Sequence, residues 1–359
     1  MTRLVFQFTV FLIINGSIVF GQSARPQEPQ PPFTYKSEDV VIFNKHDQTK
    51  LAGTLTTPSS GGKHPIVLLI SGSGAQDRNS EIFGHKSFWV IADYLTNHGI
   101  AVLRLDDRGV GGSNGVHNAA GLLEFQRDAE TAIEYLKSRS EVDPQKIGII
   151  GHSLGGALAP IVASKDSSLA FIIILAGPGM RGDKLMLLQK EIIERKMGLN
   201  DLAVSIGQKN IGGSYEIIRN DNVVPDSLKS ELKRYFTKVF GAALPSAQLE
   251  SLSAQLSIPW LRDLIRYDPA EFLSKVKCPV LAINGEKDVQ VPAKENLAGI
   301  AEILLQAGNN KLKSVSVPNL NHLFQDCDTG MVDEYQKIEM TFSPEVLKIM
   351  KDWIVEVIK

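Results

Sequence analysis

Apolar residues run along this chain in two rhythms. One is the short unbroken block: Ile66-Val67-Leu68-Leu69-Ile70 after Pro65, then Ile100 to Leu105, Ile147 to Ile150, Ala170 to Leu175, Val280 to Ile283 and, more weakly, Leu312 to Val317. Such blocks, with no polar alternation, predict strands buried on both faces of a parallel sheet. The other rhythm spaces apolar residues by three and four, at Phe88, Ile91, Ala92 and Leu95, at Leu122, Phe125, Ala129, Ala132, Ile133 and Leu136, and at Leu297, Ile300, Ala301 and Leu304. These stretches predict helices, with Gly99 and Gly308 as stops. Ser343 as N-cap and Pro344 in the first turn open a last helix with Val346, Met350, Trp353 and Val357 on one face. Near the start, Val40 to Phe43 and Leu51 to Thr56 flank the polar turn Asn44 to Lys50, a hairpin signal. Strands alternating with helices imply right-handed βαβ units, hence an α/β fold built on a mostly parallel, doubly wound sheet.

Two intervals break the alternation. From about Met180 to Asp268 only helical patterns occur, such as Leu185 to Lys196 and Ser227 to Phe240. A helical insertion of that length between two sheet strands is expected to be a cap, with packing decoration as the alternative. The other interval is the beginning. Met1 to Gly21 carries one basic residue, Arg3, then a mostly apolar stretch from Leu4 to Ile14, with Val19 and Gly21 before a plausible cleavage point. It reads as a secretory signal peptide, because Gln7, Thr9 and Asn15 leave it short of the roughly 20 apolar residues a membrane span needs. The Pro- and Gln-rich stretch that follows resembles a flexible tether. The expected organisation is therefore signal peptide 1–21, tether 22–37, first part of the core 38–179, helical cap 180–268 and second part of the core 269–359. The expected destination is secreted or periplasmic, with no membrane span after cleavage.

Composition narrows the class of partner. The 359 residues carry 38 basic and 40 acidic side chains for a net charge of -2, without any block of like charge. Nucleic acid and anionic membrane surfaces are poor partners for such a chain. The only two cysteines, Cys278 and Cys327, lie at opposite edges of the expected sheet, too far apart for a disulfide. No spacing of Cys and His suits a metal.

The sequence contains G-x-S-x-G twice, at Gly151-His152-Ser153-Leu154-Gly155 and at Gly111-Gly112-Ser113-Asn114-Gly115. A nucleophile elbow needs a buried strand running into the first glycine and a helix beginning just after the serine. Ser153 has both; Ser113 lies some eight residues past its strand, in a loop. A serine hydroxyl needs a base and an orienting carboxylate, in the chain order Ser, Asp or Glu, His. His322 is the only histidine after Ser153, and it follows the weak strand ending at Val317. The acid is expected to be Asp288, in Asn284-Gly285-Glu286-Lys287-Asp288 after the Val280 strand, with Glu286 as its neighbouring rival. Oxyanion donors are expected from the backbone N–H groups of Leu154 and of Ser73, with Gly74 next, in the loop Ser71-Gly72-Ser73-Gly74. Asp77 and Arg78 are expected to brace that loop by ion pairing, and Asp106, Asp107 and Arg108 to act likewise.

Over nearly its whole length beyond the tether the chain resembles the α/β-hydrolase superfamily. The motifs Ser71-Gly72-Ser73-Gly74 with Gln76-Asp77-Arg78, Asp107-Arg108-Gly109, Gly151-His152-Ser153-Leu154-Gly155-Gly156 and Gly285-Glu286-Lys287-Asp288 look like the serine-aminopeptidase-like group, similar to secreted bacterial carboxylesterases with a helical cap. Many relatives carry His-Gly where this chain has Ser71-Gly72. The resemblance implies a serine esterase acting on small or carbohydrate-borne acyl esters, with no metal or organic cofactor. An aminopeptidase or amidase of the same fold is the alternative, needing cap acids such as Glu191, Glu194, Glu216 or Glu231 for a substrate amine. A non-catalytic carrier of apolar ligands is the reading from a different class. Trp260, Leu261 and Leu264 are candidates for an apolar acyl wall, with core packing as the other explanation.

Overall fold

The computed structural model describes residues 25–359; the expected signal peptide and the first residues of the expected tether lie outside the described residues. Eight strands form one sheet: β1 (Tyr35–Phe43), β2 (Lys50–Pro58), β3 (His64–Ile70), β4 (Ala101–Leu105), β5 (Val142–His152), β6 (Phe171–Leu175), β7 (Val280–Gly285) and β8 (Leu312–Val317). Their spatial order is β1-β2-β4-β3-β5-β6-β7-β8. The first two are antiparallel to their neighbours, and every pairing from β4 through β8 is parallel.

The unbroken apolar blocks are explained by what covers them. Ile66 and Leu68 of β3 point into one core, and Val67 and Leu69 into the other, none more than 4% exposed. The same alternation divides β6, with Ile172 and Ile174 on one side and Phe171, Ile173 and Leu175 on the other. One face is covered by α2 (Leu122–Ser138), α3 (Leu154–Ala163) and α9 (Ala293–Gln306); the other by α1 (Ser87–Asn97) and α10 (Pro344–Val357). Burial on both faces removes the need for polar alternation, so the sheet is doubly wound as its sequence requires. Ser343 caps α10, its hydroxyl accepting from the Val346 amide. At the far edge, β8 is largely exposed, which is why its apolar signal is weak.

The helical insertion is a compact unit of its own, Met180–Asp268 together with Asn118–Leu123. It contains α4 (Gly182–Lys196), α5 (Asp201–Arg219), α6 (Pro225–Phe240), α7 (Ser246–Leu256) and α8 (Pro259–Arg266). Asn200 caps α5 by accepting from the Ala203 amide, and Pro225 and Pro259 open α6 and α8. Trp260, Leu261 and Leu264 are buried. Among the described residues, no helix is long and apolar enough to cross a membrane.

The tether needs correcting. Strand β1 begins at Tyr35, and the residues before it are fastened down. Arg25 donates to the carbonyls of Ile338, Phe83 and Gln336 at 2.9–3.0 Å, and Gln27 pairs with the backbone of Thr341 and Phe342. Glu28 meets Lys86 at 2.6 Å. Proline and glutamine weaken local structure, but they do not prevent side chains from finding the unpaired carbonyls of a neighbouring loop.

Candidate active site

Four loops leave the carboxyl ends of parallel strands on the same edge of the sheet, where an open α/β sheet places its ligands. The loop after β5 is the sharpest. Ser153 sits at φ 55° and ψ -113°, outside the conformations a side-chain-bearing residue normally adopts. Close packing enforces the turn. A Cβ on Gly151 would lie 2.0 Å from the Gly155 carbonyl oxygen, and one on Gly155 would lie 2.2 Å from that of Ile70. Both positions therefore have to be glycine, and the small residues allow α3 to start directly against β3 and β5. Ser153 donates its amide to the Leu175 carbonyl at 2.9 Å, tying the elbow to β6.

His322 lies on the loop after β8, with Nε2 at 3.0 Å from the Ser153 Oγ and Nδ1 at 2.7 Å from Asp288 Oδ2. The second Asp288 oxygen accepts from the amides of Gln290 and Val291 at 2.8 and 2.9 Å. Its side chain is fully enclosed, so the carboxylate is aimed and cannot turn away. Asn321 shapes the histidine loop: its Oδ1 accepts from the Leu323 and Gln325 amides and its Nδ2 donates to the Gln325 side chain. The structure thus brings Ser153, His322 and Asp288 into one hydrogen-bonded line. Glu286, Asp326 and Asp328 are exposed and take no part in it. Ser113 is engaged elsewhere, accepting from the Ala52 amide and donating to the Asp106 carbonyl.

Leu154 is the first residue of α3, where a helical amide has no intrahelical acceptor. Ser73 lies half-buried on the loop after β3, one residue beyond Gly72, and a Cβ on Gly72 would lie 3.2 Å from that of Ser153. Among the described residues, the amides of Ser73, Gly74 and Ala75 make no hydrogen bond. The bracing differs from expectation at one point. Arg78 pairs with Asp106 at 2.7 Å and with Asp39 at 3.0 Å, while Asp77 accepts from the amides of Asn79 and Glu81 and shapes a turn. The pairing follows from the adjacency of β2 and β4, which sequence neighbours cannot reveal. Arg108 is likewise held by Asp128 and Asp47. Among the described residues, Asp107 forms no ion pair with Arg or Lys; burial pushes its carboxyl up to about 7, against the opposing pull of the Gln76 amide and Ser71 hydroxyl. The two cysteines are free thiols, with the Cys327 Sγ 3.2 Å from the Asn319 carbonyl. Among the described residues, no cluster of three or more His, Cys, Asp or Glu side chains could hold a metal ion.

The sequence reading overlooked His152, although it lies inside the elbow motif. Its ring is buried 4.8 Å from the His322 ring, and Nε2 is 2.8 Å from the His322 carbonyl oxygen. A carbonyl only accepts, so Nε2 carries the proton. Burial, reinforced by the neighbouring His322, pushes the pKa down to about 3. The free imidazole of an unfolded chain titrates near 6.5, so the unfolded state binds this proton first. The stability associated with neutral His152 is complete above about pH 6.5 and is lost as pH falls toward 3. Thermal melts of wild type and His152→Gln across that window are expected to show a steeper loss of Tm on acidification in the wild type; parallel curves would refute it.

A family profile described as "Serine aminopeptidase, S33" matches residues 86–328. Among curated proteins, Esterase EstD of Thermotoga maritima is 25% identical over 312 residues, covering 86% of this chain and 66% of its own length, just under two thirds. Among solved structures, the Pyrococcus furiosus esterase PF2001 superposes with a TM-score of 0.52 at 16% identity, covering 90% of this chain and 91% of that one. Est1E from Butyrivibrio proteoclasticus, solved with ferulic acid bound, superposes with a TM-score of 0.53 at 18% identity over 89% and 99%. Identities this low establish the fold alone, whereas the profile spans well over half of the chain, so this protein, with its α/β-hydrolase fold, belongs to the serine aminopeptidase S33 family.

Proposed function

We propose that the protein is a serine hydrolase of carboxylic esters, working through an acyl-enzyme on Ser153. The observation that carries this reading is the continuous line Asp288–His322–Ser153, at 2.7 and 3.0 Å, on a strained elbow. His322 takes the hydroxyl proton through Nε2 as Ser153 attacks the acyl carbon, and Asp288 holds the imidazole and balances its charge. The backbone N–H groups of Leu154 and Ser73 receive the oxyanion. His322 then protonates the departing alcohol, and in the second half-reaction it activates water to release the acid.

A peptidase of this fold would need an open acid for a substrate amine. Among the acids named for that role, Glu191 is paired with Arg195, Glu194 with Lys190 and Glu231 with Arg234, while Glu216 is exposed and forms no ion pair among the described residues, so the choice between ester and peptide substrates falls to the assay below. The substrates proposed are small or carbohydrate-borne acyl esters, and the esterase names of the relatives agree with that chemistry. The test compares a short p-nitrophenyl ester with an aminoacyl p-nitroanilide, alongside labelling by a fluorophosphonate. Turnover of the ester at a kcat/KM at least about 100-fold higher, with the label on the Ser153 peptide, is expected. Faster anilide turnover, or a label on Ser113, would overturn the reading.

A further inference from the structure

The Asp106-Asp107-Arg108 tripeptide after β4 is held rigidly, and its central residue faces a different way from its neighbours. Asp106 is locked by the Arg78 guanidinium, by the Arg78 and Gly112 amides, and by its own amide on the Ala52 carbonyl. Arg108 is locked by Asp128 and Asp47. Asp107, on this fixed base, has one hydrogen-bonding direction left. Its Oδ1 accepts from the Ser71 hydroxyl at 2.8 Å and its Oδ2 accepts from the Gln76 amide at 2.9 Å. Its own amide donates to the Gln76 carbonyl at 3.0 Å. Nε2 of His117 is 3.9 Å from the Asp107 Oδ2.

Ser71 and Gln76 are the two ends of the loop that carries Ser73. Between them, the amides of Ser73, Gly74 and Ala75 are unbonded among the described residues, so the loop's own backbone fixes its path very little. At the start of the loop, Ser71 and Gly72 border a small pocket of about 60 Å³, with Leu68, Leu105, Phe125 and Leu158 among its walls and Asp107 and His117 in its lining. The loop runs close beside the nucleophile, since a Cβ on Gly72 would lie only 3.2 Å from that of Ser153, and an oxyanion donor works only within about 2.7–3.1 Å of the developing charge.

We propose that Asp107 is a positioning residue of the oxyanion site: one carboxylate spans both ends of the Ser71–Gln76 loop and so sets where the Ser73 amide points. The inference rests on the esterase reading above. It also accounts for the serine at position 71, whose hydroxyl supplies one of the two struts. The role is differential, because a displaced Ser73 amide weakens the tetrahedral state while leaving ground-state binding of the ester nearly unchanged.

The experiment measures kcat and KM on a p-nitrophenyl ester, and the Ki of an alkyl boronic acid as tetrahedral mimic, for wild type, Asp107→Ala, Asp107→Asn and Ser71→Ala. Asp107→Ala is expected to lower kcat by about 10- to 100-fold, with KM within about twofold and boronate affinity falling in parallel. Asp107→Asn keeps a carbonyl oxygen for the Gln76 amide and is expected to recover most of the loss. Ser71→Ala removes one strut and should lose less than Asp107→Ala. Adding Ser71→Ala to Asp107→Ala should cost nothing further, because the strut is already gone. Boronate affinity and kcat within about twofold of wild type in a folded Asp107→Ala protein would overturn the proposal. So would a fall in kcat with boronate affinity unchanged. If Asp107→Ala does not fold, Asp107→Asn and Ser71→Ala decide: the proposal requires the serine variant to lose boronate affinity and kcat together. Full activity in Ser153→Ala would instead overturn the esterase mechanism itself, whatever the Asp107 variants do.

Discussion

Ser153→Ala is expected to lower kcat on a short p-nitrophenyl ester by about 10⁶-fold, with KM and Tm close to wild type. The Ser153 Oγ lies 3.0 Å from the one base in line with it, so its loss removes the nucleophile and leaves the rest of the site intact. Residual catalysis of about 10³- to 10⁴-fold over water would remain, from the oxyanion donors and from binding. Alanine fits the elbow, because the close approaches there fall on Gly151 and Gly155, and serine already tolerates the positive φ. Steady-state rates, with the active-site concentration titrated to detect contaminating wild-type enzyme, check the prediction. Ser113→Ala provides the contrast: its hydroxyl bridges Ala52 and Asp106, and its loss should reduce Tm while leaving kcat within a few-fold. A loss of kcat in the Ser113 variant with Ser153→Ala unaffected would invert the assignment.

The second large effect is expected at Asp288→Asn, about 10⁴-fold in kcat with the fold preserved. The hydrogen-bond pattern dictates the mechanism of this loss. The Gln290 and Val291 amides both donate to Oδ1, so in the variant the amide oxygen must take that place. The amide NH₂ then faces His322 Nδ1, which can only accept from it. The ring proton moves to Nε2, where it points at Ser153 Oγ and blocks proton abstraction. Asp288→Asn should therefore be as stable as wild type but nearly inert at neutral pH. A recovery of activity at high pH, where hydroxide can act in place of the imidazole, is expected in the pH–rate profile. A loss below tenfold would show that His322 is oriented by something else.

These expectations draw on different depths of information. The strands β3, β6 and β7 were legible because both of their faces are buried, so each position has to be apolar whichever way it points. The beginning of β5 was not legible: Asp143-Pro144-Gln145-Lys146 reads as a loop, yet the strand starts at Val142, across a register irregularity opposite His64. The elbow was legible because a backbone that turns so tightly admits only glycine at fixed positions. The Arg25 and Gln27 anchors were invisible, because the carbonyls they meet lie more than 300 residues away in sequence, apart from that of Phe83. Asn118–Leu123 joining the helical unit carried no compositional signal either.

Taken alone, the sequence determined the alternation of strands and helices, the place of the helical insertion, the elbow at Ser153 and the candidates His322 and Asp288. Those features are local: burial on two faces, helical period, and steric limits on glycine leave marks within a few residues of their cause. Only the tertiary structure decided that Arg78 pairs with Asp106 and not with its neighbour Asp77, that His152 is buried against His322, and that Asp107 spans the two ends of the Ser73 loop. Each of these is a hydrogen bond or ion pair whose strength depends on the distance and direction between groups far apart in the chain, and those are set only when the sheet brings its strand ends together.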